Sequence, residues 1–250
     1  MINTKENEKY SKKEYIKKFL FLVFIQQASY HFVLFFIYKN ERMIPRYISE
    51  NLISEKNNWW INILNLGLNN KFGETLGFPD IKYFENFVFI YLISILWWYF
   101  LTPFFVYKYL DKKTIKSLYK STFIVLFFSL LIFIIFPIEA LKIFQFKTFK
   151  YGSISGKLLE KIYEIDYTRL NSLPSLHVAI SFLCYIPFRL KNNNVPKKVF
   201  WFQFIMAFLV FISTFAIKQH YIADGIISII LVELVYFLIS RKENNKKIVK

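Results

Sequence analysis

Three histidines occur in the chain, and two of them sit in segments whose residue types suit phosphoryl chemistry. His177 lies in Asn171-Ser172-Leu173-Pro174-Ser175-Leu176-His177-Val178, and His220 in a stretch running from Ser213-Thr214 through Lys218-Gln219-His220 to Asp224. A four-residue interval puts His220 and Asp224 one above the other on a helix face. A carboxylate against one imidazole nitrogen fixes the tautomer and leaves the other nitrogen free as nucleophile or base. Pro174-Ser175 before an apolar run reads as a helix start, where backbone N–H groups and the Ser175 hydroxyl bind an anion. Lys218 adds a point positive charge two residues from His220. A nucleophilic histidine, a second histidine able to protonate a leaving oxygen and a cationic, N–H-rich pocket together describe metal-free phosphoryl transfer, with no cofactor. A dinuclear metal site fits worse, because the carboxylate cluster it needs is missing from these segments. A single metal on His177, His220 and Asp224 is the alternative, and an incidental helix-end ion pair is the plainer reading of His220 and Asp224 taken alone.

The elements that carry these residues follow from composition. The 250 residues are 55% hydrophobic, with 31 Phe and 17 Tyr against 6 Gly and 7 Pro, more apolar surface than a water-soluble domain of this size hides. Cys184 is the single cysteine, so a disulfide scaffold is excluded. A formal charge of +16 would suit a nucleic-acid partner if the basic residues formed one patch, but they are spread between apolar runs, and no nucleic acid is expected. Six runs approach the roughly 20 residues a helix needs to cross a bilayer core: Phe19 to Tyr38, Phe87 to Tyr107, Leu118 to Pro137, Ser172 to Leu190, Val199 to Ile217 and Tyr221 to Ser240. The fourth has the shortest apolar centre, with Pro187 near its end. In lipid, backbone polar groups must be satisfied within helices, so the expected fold is all-α, a six-helix transmembrane bundle; a soluble bundle with buried helices is the alternative.

Charge supplies a second test. Segments 1–18, 108–117, 189–198 and 241–250 carry net charges of +3, +3, +4 and +4, whereas 39–86 carries 0, 138–171 carries +2 and Lys218 stands alone. Positive-inside asymmetry then puts both termini in the cytoplasm and brings His177 and His220 to the outer face. The expected organisation is a basic tail over 1–18, one membrane domain over 19–240 with its catalytic core at about 118–240, and a second basic tail over 241–250. The first run resumes after Ala28-Ser29, so it reads as an uncleaved helix rather than a signal peptide. Gln26, Gln27 and His31 in it are expected to face the bundle, since polar groups are costly against lipid. In the first outer connection, residues 59–68 begin with Trp59-Trp60 and suit the headgroup level. In the second, Leu158, Leu159, Ile162 and Ile165 are spaced as a short amphipathic helix starting after Ser155-Gly156.

With those residues in view, the chain resembles the type 2 phosphatidic acid phosphatase superfamily, especially the branch of inositol phosphorylceramide and sphingomyelin synthases. The family's Pro-Ser-x-His motif is similar to Pro174-Ser175-Leu176-His177, with Leu176 where glycine is more usual, as in that branch. The third motif is similar to Ser213, Thr214, His220 and Asp224; Thr214 stands where the family has arginine. The first motif, a lysine followed at a distance by Arg-Pro, has no clean counterpart; Lys142 is the best cation near its place, and Arg169, upstream of Pro174, is another. The resemblance covers about Leu118 to Ser240. It implies that His220 attacks phosphorus, Asp224 orients it and His177 protonates the departing oxygen, with Ser175, Lys218, Lys142 and Arg169 around the phosphate and no metal. The implied activity is hydrolysis of a lipid phosphate such as phosphatidic acid or a polyprenyl diphosphate at the outer face of a bacterial cell membrane. Transfer to a lipid alcohol is the second reading, and a noncatalytic lipid-binding protein the third.

Overall fold

The computed structural model describes residues 9–39, 85–135, 153–165, 173–189, 195–217, 219–220 and 222–245. Among them the chain forms seven helical rods rather than six: α1 (Lys12–Lys39), α2 (Phe87–Tyr109), α3 (Lys112–Ile135), α4 (Ile154–Ile165), α5 (Leu176–Tyr185, continued as a 3₁₀ turn over Ile186–Arg189), α6 (Lys197–Ala216) and α7 (Ile222–Asn245). Six correspond to the expected spans. The seventh, α4, is the amphipathic helix of the second connection, and it begins at Ile154, earlier than the spacing suggested, because Ser153 Oγ accepts from the Gly156 N–H at 2.9 Å and so caps it.

Four rods, α2, α3, α6 and α7, are long and apolar enough to cross a membrane. Their outward faces carry large apolar side chains such as Phe100, Phe127, Trp201, Ile230 and Phe237, all exposed, which a bilayer would cover. α5 departs from expectation. Its regular helix starts at Leu176 rather than Ser172, and at ~1.5 Å per α-residue and ~2.0 Å per 3₁₀ residue it is roughly 23 Å long, short of the ~30 Å hydrocarbon core. It is also the central rod: Val178, Ala179, Ser181, Leu183, Ile186 and Phe188 are all buried. Its flanks are α6, α7, α3 and α2.

Packing fixes how the rods alternate. At one end Lys9 Nζ donates to the Lys108 carbonyl at 3.1 Å and the Lys120 ammonium pairs with the buried Glu243 carboxylate, while Arg189, at the end of α5, makes a bidentate pair at 2.8 Å through each nitrogen with Glu233, midway along α7. At the other end Val33 and Phe133 pack with Leu176, and Val88 and Tyr91 pack with Leu159 and Ile217. The start of α1 and the end of α7 therefore lie together at the lysine-rich end, with His177 and His220 at the opposite end. Gln26 and Gln27 turn toward α2, where both amides donate to the Tyr99 hydroxyl, at 3.3 and 2.6 Å. His31 does not face the bundle as expected: its side chain is exposed and meets the edge of the Tyr30 ring. The Trp59-Trp60 segment lies outside the described residues.

Two features bring the rods close. Residues Trp97–Leu101 of α2 form a π-turn that turns both Trp97 and Trp98 inward; Trp97 Nε1 donates to Gln203 Oε1 of α6, and Trp98 Nε1 donates to Ser181 Oγ of α5 at 3.0 Å. On α7, Gly225 lets α6 approach so closely that a Cβ there would lie 2.4 Å from Phe211 Cε2. That ring is held in turn between Phe208 and Phe215.

Two outcomes are expected. If the lysine-rich end faces the cytoplasm, as the positive-inside rule leads one to expect, cysteine at Lys157 should react with an impermeant reagent added outside intact cells and cysteine at Lys198 should not; the reverse pattern would overturn that orientation. Gly225→Ala overfills the α6–α7 contact and should cost about 1–3 kcal/mol, read as a lowered Tm in detergent, with Phe211→Leu restoring part of the loss. An unchanged Tm in the single variant would show that the close approach does not matter.

Candidate active site

The histidine end is built from three chain segments. Ser175 is the N-cap of α5: its backbone is extended, its side chain is fully buried, and its Oγ accepts from the Val178 N–H at 3.5 Å, a long bond. The next residues begin a helix, so the N–H groups of its first turn have no intrahelical carbonyl and point out of its positive end. His177 follows in that first turn.

The second segment is the junction between α6 and α7. Thr214 closes it through its backbone, its carbonyl accepting from the N–H groups of Gln219 at 2.9 Å and His220 at 3.2 Å. The hydroxyls of Ser213 and Thr214 both turn back into α6, onto the carbonyls of Val210 and Phe211 at 2.8 Å. Thr214 therefore shapes the turn that presents His220, with its own hydroxyl engaged within α6. Gln219 is buried with its Nε2 donor unpartnered. A buried donor without an acceptor costs ~1–3 kcal/mol, so the donor next to His220 in the chain is a feature a ligand would relieve.

The third segment is the first turn of α7. Asp224 is 3% exposed, and its Oδ2 is 3.7 Å from His220 Nδ1. That is longer than a closed hydrogen bond. Nδ1 is thus the ring nitrogen on the Asp224 side, and Nε2 lies on the far side of the ring. The Asp224 carbonyl accepts from Ser228 Oγ at 2.6 Å and from the Ser175 backbone N–H at 3.4 Å, tying α7 to the start of α5. The result sets the His177 and His220 rings 6.1 Å apart, centre to centre.

Of the residues singled out in the sequence, His177, His220, Asp224 and Ser175 thus come together. Lys218, Lys142 and Arg169 lie outside the described residues. Among the described residues no group of three His, Cys, Asp or Glu side chains is arranged to hold a metal ion.

Other parts of the site had no signal of their own. Tyr91 stacks on His177 with ring centres 4.4 Å apart, and Trp98 lies 5.5 Å from the same ring. In a chain with 31 Phe, 17 Tyr and 5 Trp nothing set these two apart. Above them α4 packs Leu159 onto Val88, Tyr91 and Ile217, while Ser153 Oγ and Ser155 Oγ donate to the buried Glu85 at 3.0 and 3.1 Å. Glu85 thereby pins the start of α4, where its charge also meets the positive helix end.

No curated protein and no solved structure gives a significant match to the chain. A family model described as PAP2 superfamily matches residues 75–238, well over half of the chain. The match starts upstream of the Leu118 expected from the motifs and takes in all of α2, whose Tyr91 and Trp98 touch His177. On that match the chain belongs to the PAP2 superfamily, which places it among phosphatase- and phosphotransferase-type enzymes with lipid-related substrates.

Proposed function

We propose that the chain is a metal-independent lipid phosphate phosphatase that works through a phosphohistidine intermediate at the outer membrane face. The observation that carries this reading is the convergence of His177, His220 and Asp224 beside the N-terminus of α5. His220 Nε2 attacks phosphorus, and the bond from phosphorus to the lipid oxygen breaks. His177 delivers a proton to that oxygen, and Asp224 stabilises the positive charge left on the substituted His220 ring. In the second half a water attacks the phosphohistidine, His177 takes its proton, and inorganic phosphate leaves with His220 restored. The phosphoryl oxygens meet the first-turn N–H groups of α5, with Lys218, Lys142 and Arg169 as the cations of this reading. Phosphatidic acid and polyprenyl diphosphates are the candidate substrates.

Transfer to a lipid alcohol is the second reading. Leu176 favours it, occupying the Pro-Ser-x-His position as in the synthase branch of the family, and the same phosphohistidine would then be opened by an alcohol in place of water.

Purified protein in detergent, given phosphatidic acid or polyprenyl diphosphate with and without a lipid alcohol, should release free phosphate; a new phosphorylated lipid in its place would select the second reading. His220→Ala should abolish both turnover and trapped phosphoenzyme. His177→Ala should lower turnover of the lipid by ~10²-fold or more, because an alkoxide needs the proton. On p-nitrophenyl phosphate, whose leaving group needs no proton, its first step should survive, and acid-labile phosphate should accumulate on the protein. Phosphate trapped on the His220 variant instead would reverse the two roles, and wild-type rates in both variants would remove the site from the reaction.

Chelation separates the remaining alternative. With the transition-state charge met by N–H groups and basic side chains, EDTA should leave the rate unchanged. A loss restored by one added divalent ion would mean that His177, His220 and Asp224 hold a metal.

A further inference from the structure

His177 owes its position to a helix that carries none of the histidine motifs. Its own rod supplies only the backbone, because the side chain points off the first turn of α5, where the helix has no preceding turn to lean on. The Tyr91 ring lies nearly parallel to the imidazole, 28° between planes at 4.4 Å, and the Trp98 ring lies at 49° and 5.5 Å. Both are buried, and both belong to α2, seven residues apart.

Each of these rings is itself fixed. Trp98 Nε1 donates to Ser181 Oγ, one turn below His177 on α5, so the indole is locked to the rod whose histidine it touches. Tyr91 is packed by Val88, Leu159 and Ile217. The π-turn that starts at Trp97 allows Trp97 to reach Gln203 on α6 while Trp98 faces α5. The Tyr91 hydroxyl is 3.5 Å from His177 Nδ1, the far limit of a hydrogen bond, so the ring face is the main contact and the hydroxyl a lesser one. The negative faces of aromatic rings also favour the charge that imidazole carries when protonated.

We propose that Tyr91 and Trp98 form an aromatic clamp that positions the His177 imidazole, with Nε2 turned toward the leaving oxygen of the substrate. The clamp rests on the reading of His177 as general acid. Neither ring touches phosphorus or exchanges a proton. Both are positioning residues, and their effect passes through His177 alone.

The experiment uses the full chain in detergent and two substrates: the lipid phosphate that the wild-type chain turns over, and p-nitrophenyl phosphate. Tyr91→Leu removes the stacked face, and Trp98→Leu removes the second wall. Each should lower kcat on the lipid by ~10- to 10²-fold, the scale of a misplaced catalytic group, with KM little changed. Each should slow the first step on p-nitrophenyl phosphate far less, and that surviving activity shows that the variant is folded. Tyr91→Phe, which keeps the ring, should recover most of the lost rate on the lipid. In a His177→Ala background Tyr91→Leu should add no further loss.

An equal loss on both substrates would mean that the rings only hold the bundle together, and the clamp would be overturned. So would a loss in Tyr91→Phe as large as in Tyr91→Leu, which would give the role to the hydroxyl, or full additivity with His177→Ala. The two levels of the reading fail separately: if His177→Ala itself shows no dependence on the leaving group, the general-acid assignment falls and takes the clamp with it. If His177→Ala shows that dependence and neither leucine variant does, the clamp alone is wrong.

Discussion

A carboxylate buried among apolar helices must be answered by other polar groups, and at Asp224 the histidine end of the bundle is that answer. An unpaired charge in such surroundings costs several kcal/mol. The side chain faces His220, and the carbonyl of the same residue takes N–H and O–H donors from Ser175 and Ser228. Because Ser175 caps α5, the group that orients one histidine also fixes the start of the helix bearing the other. Gly225, next in the chain, removes the side chain that would hold α6 away. Moving Asp224 would therefore disturb the meeting of α5, α6 and α7 as well as its contact with His220.

Much of this end was legible because its chemistry is written in rare residues. Three histidines in 250 residues leave few combinations, and the interval from His220 to Asp224 carries geometric meaning on any helix. The long rods were legible for a different reason: a bilayer leaves no structure other than helix or closed barrel for a run of that length. The ends of α5 were harder to read, since apolar composition continues from Leu173 while the helix waits for a residue able to cap it, Ser175. α4 was legible in kind, from the spacing of Leu158, Leu159 and Ile162. Its start depended on Ser153 and Glu85, which meet only in three dimensions. The inward turn of both Trp97 and Trp98 needs a π-turn, which leaves no pattern in the order of residues. His31 shows the reverse error, a polar residue assigned to the interior by a rule about lipid that its exposed side chain does not follow.

Thr214 illustrates how one substitution redistributes a site. Where the family motif has a long cation, this chain has a short hydroxyl engaged within its own helix, and the backbone carbonyl of the same residue holds the turn before His220. Among the described residues, the donors at this end are the α5 N-terminus and the buried, unpartnered Nε2 of Gln219. Neutral donors of this kind stabilise an anion chiefly where water is excluded, and α4 covers Tyr91 and Ile217 on this side through Leu159.

The shortness of α5 falls at the end away from the histidines. Its start is level with that of α7, because the Ser175 N–H reaches the Asp224 carbonyl in the first turn of α7. Its last residue, Arg189, meets Glu233, whereas α7 runs on to Glu243 and the pairing with Lys120. At ~1.5 Å per residue α5 therefore stops roughly 15 Å before the lysine-rich end of α7. A rod that ends among longer neighbours must close its own last turn, and the bidentate Arg189–Glu233 pair is the plug that does so. The central helix thus spends its whole length on the histidine end and leaves the opposite end to the rods around it.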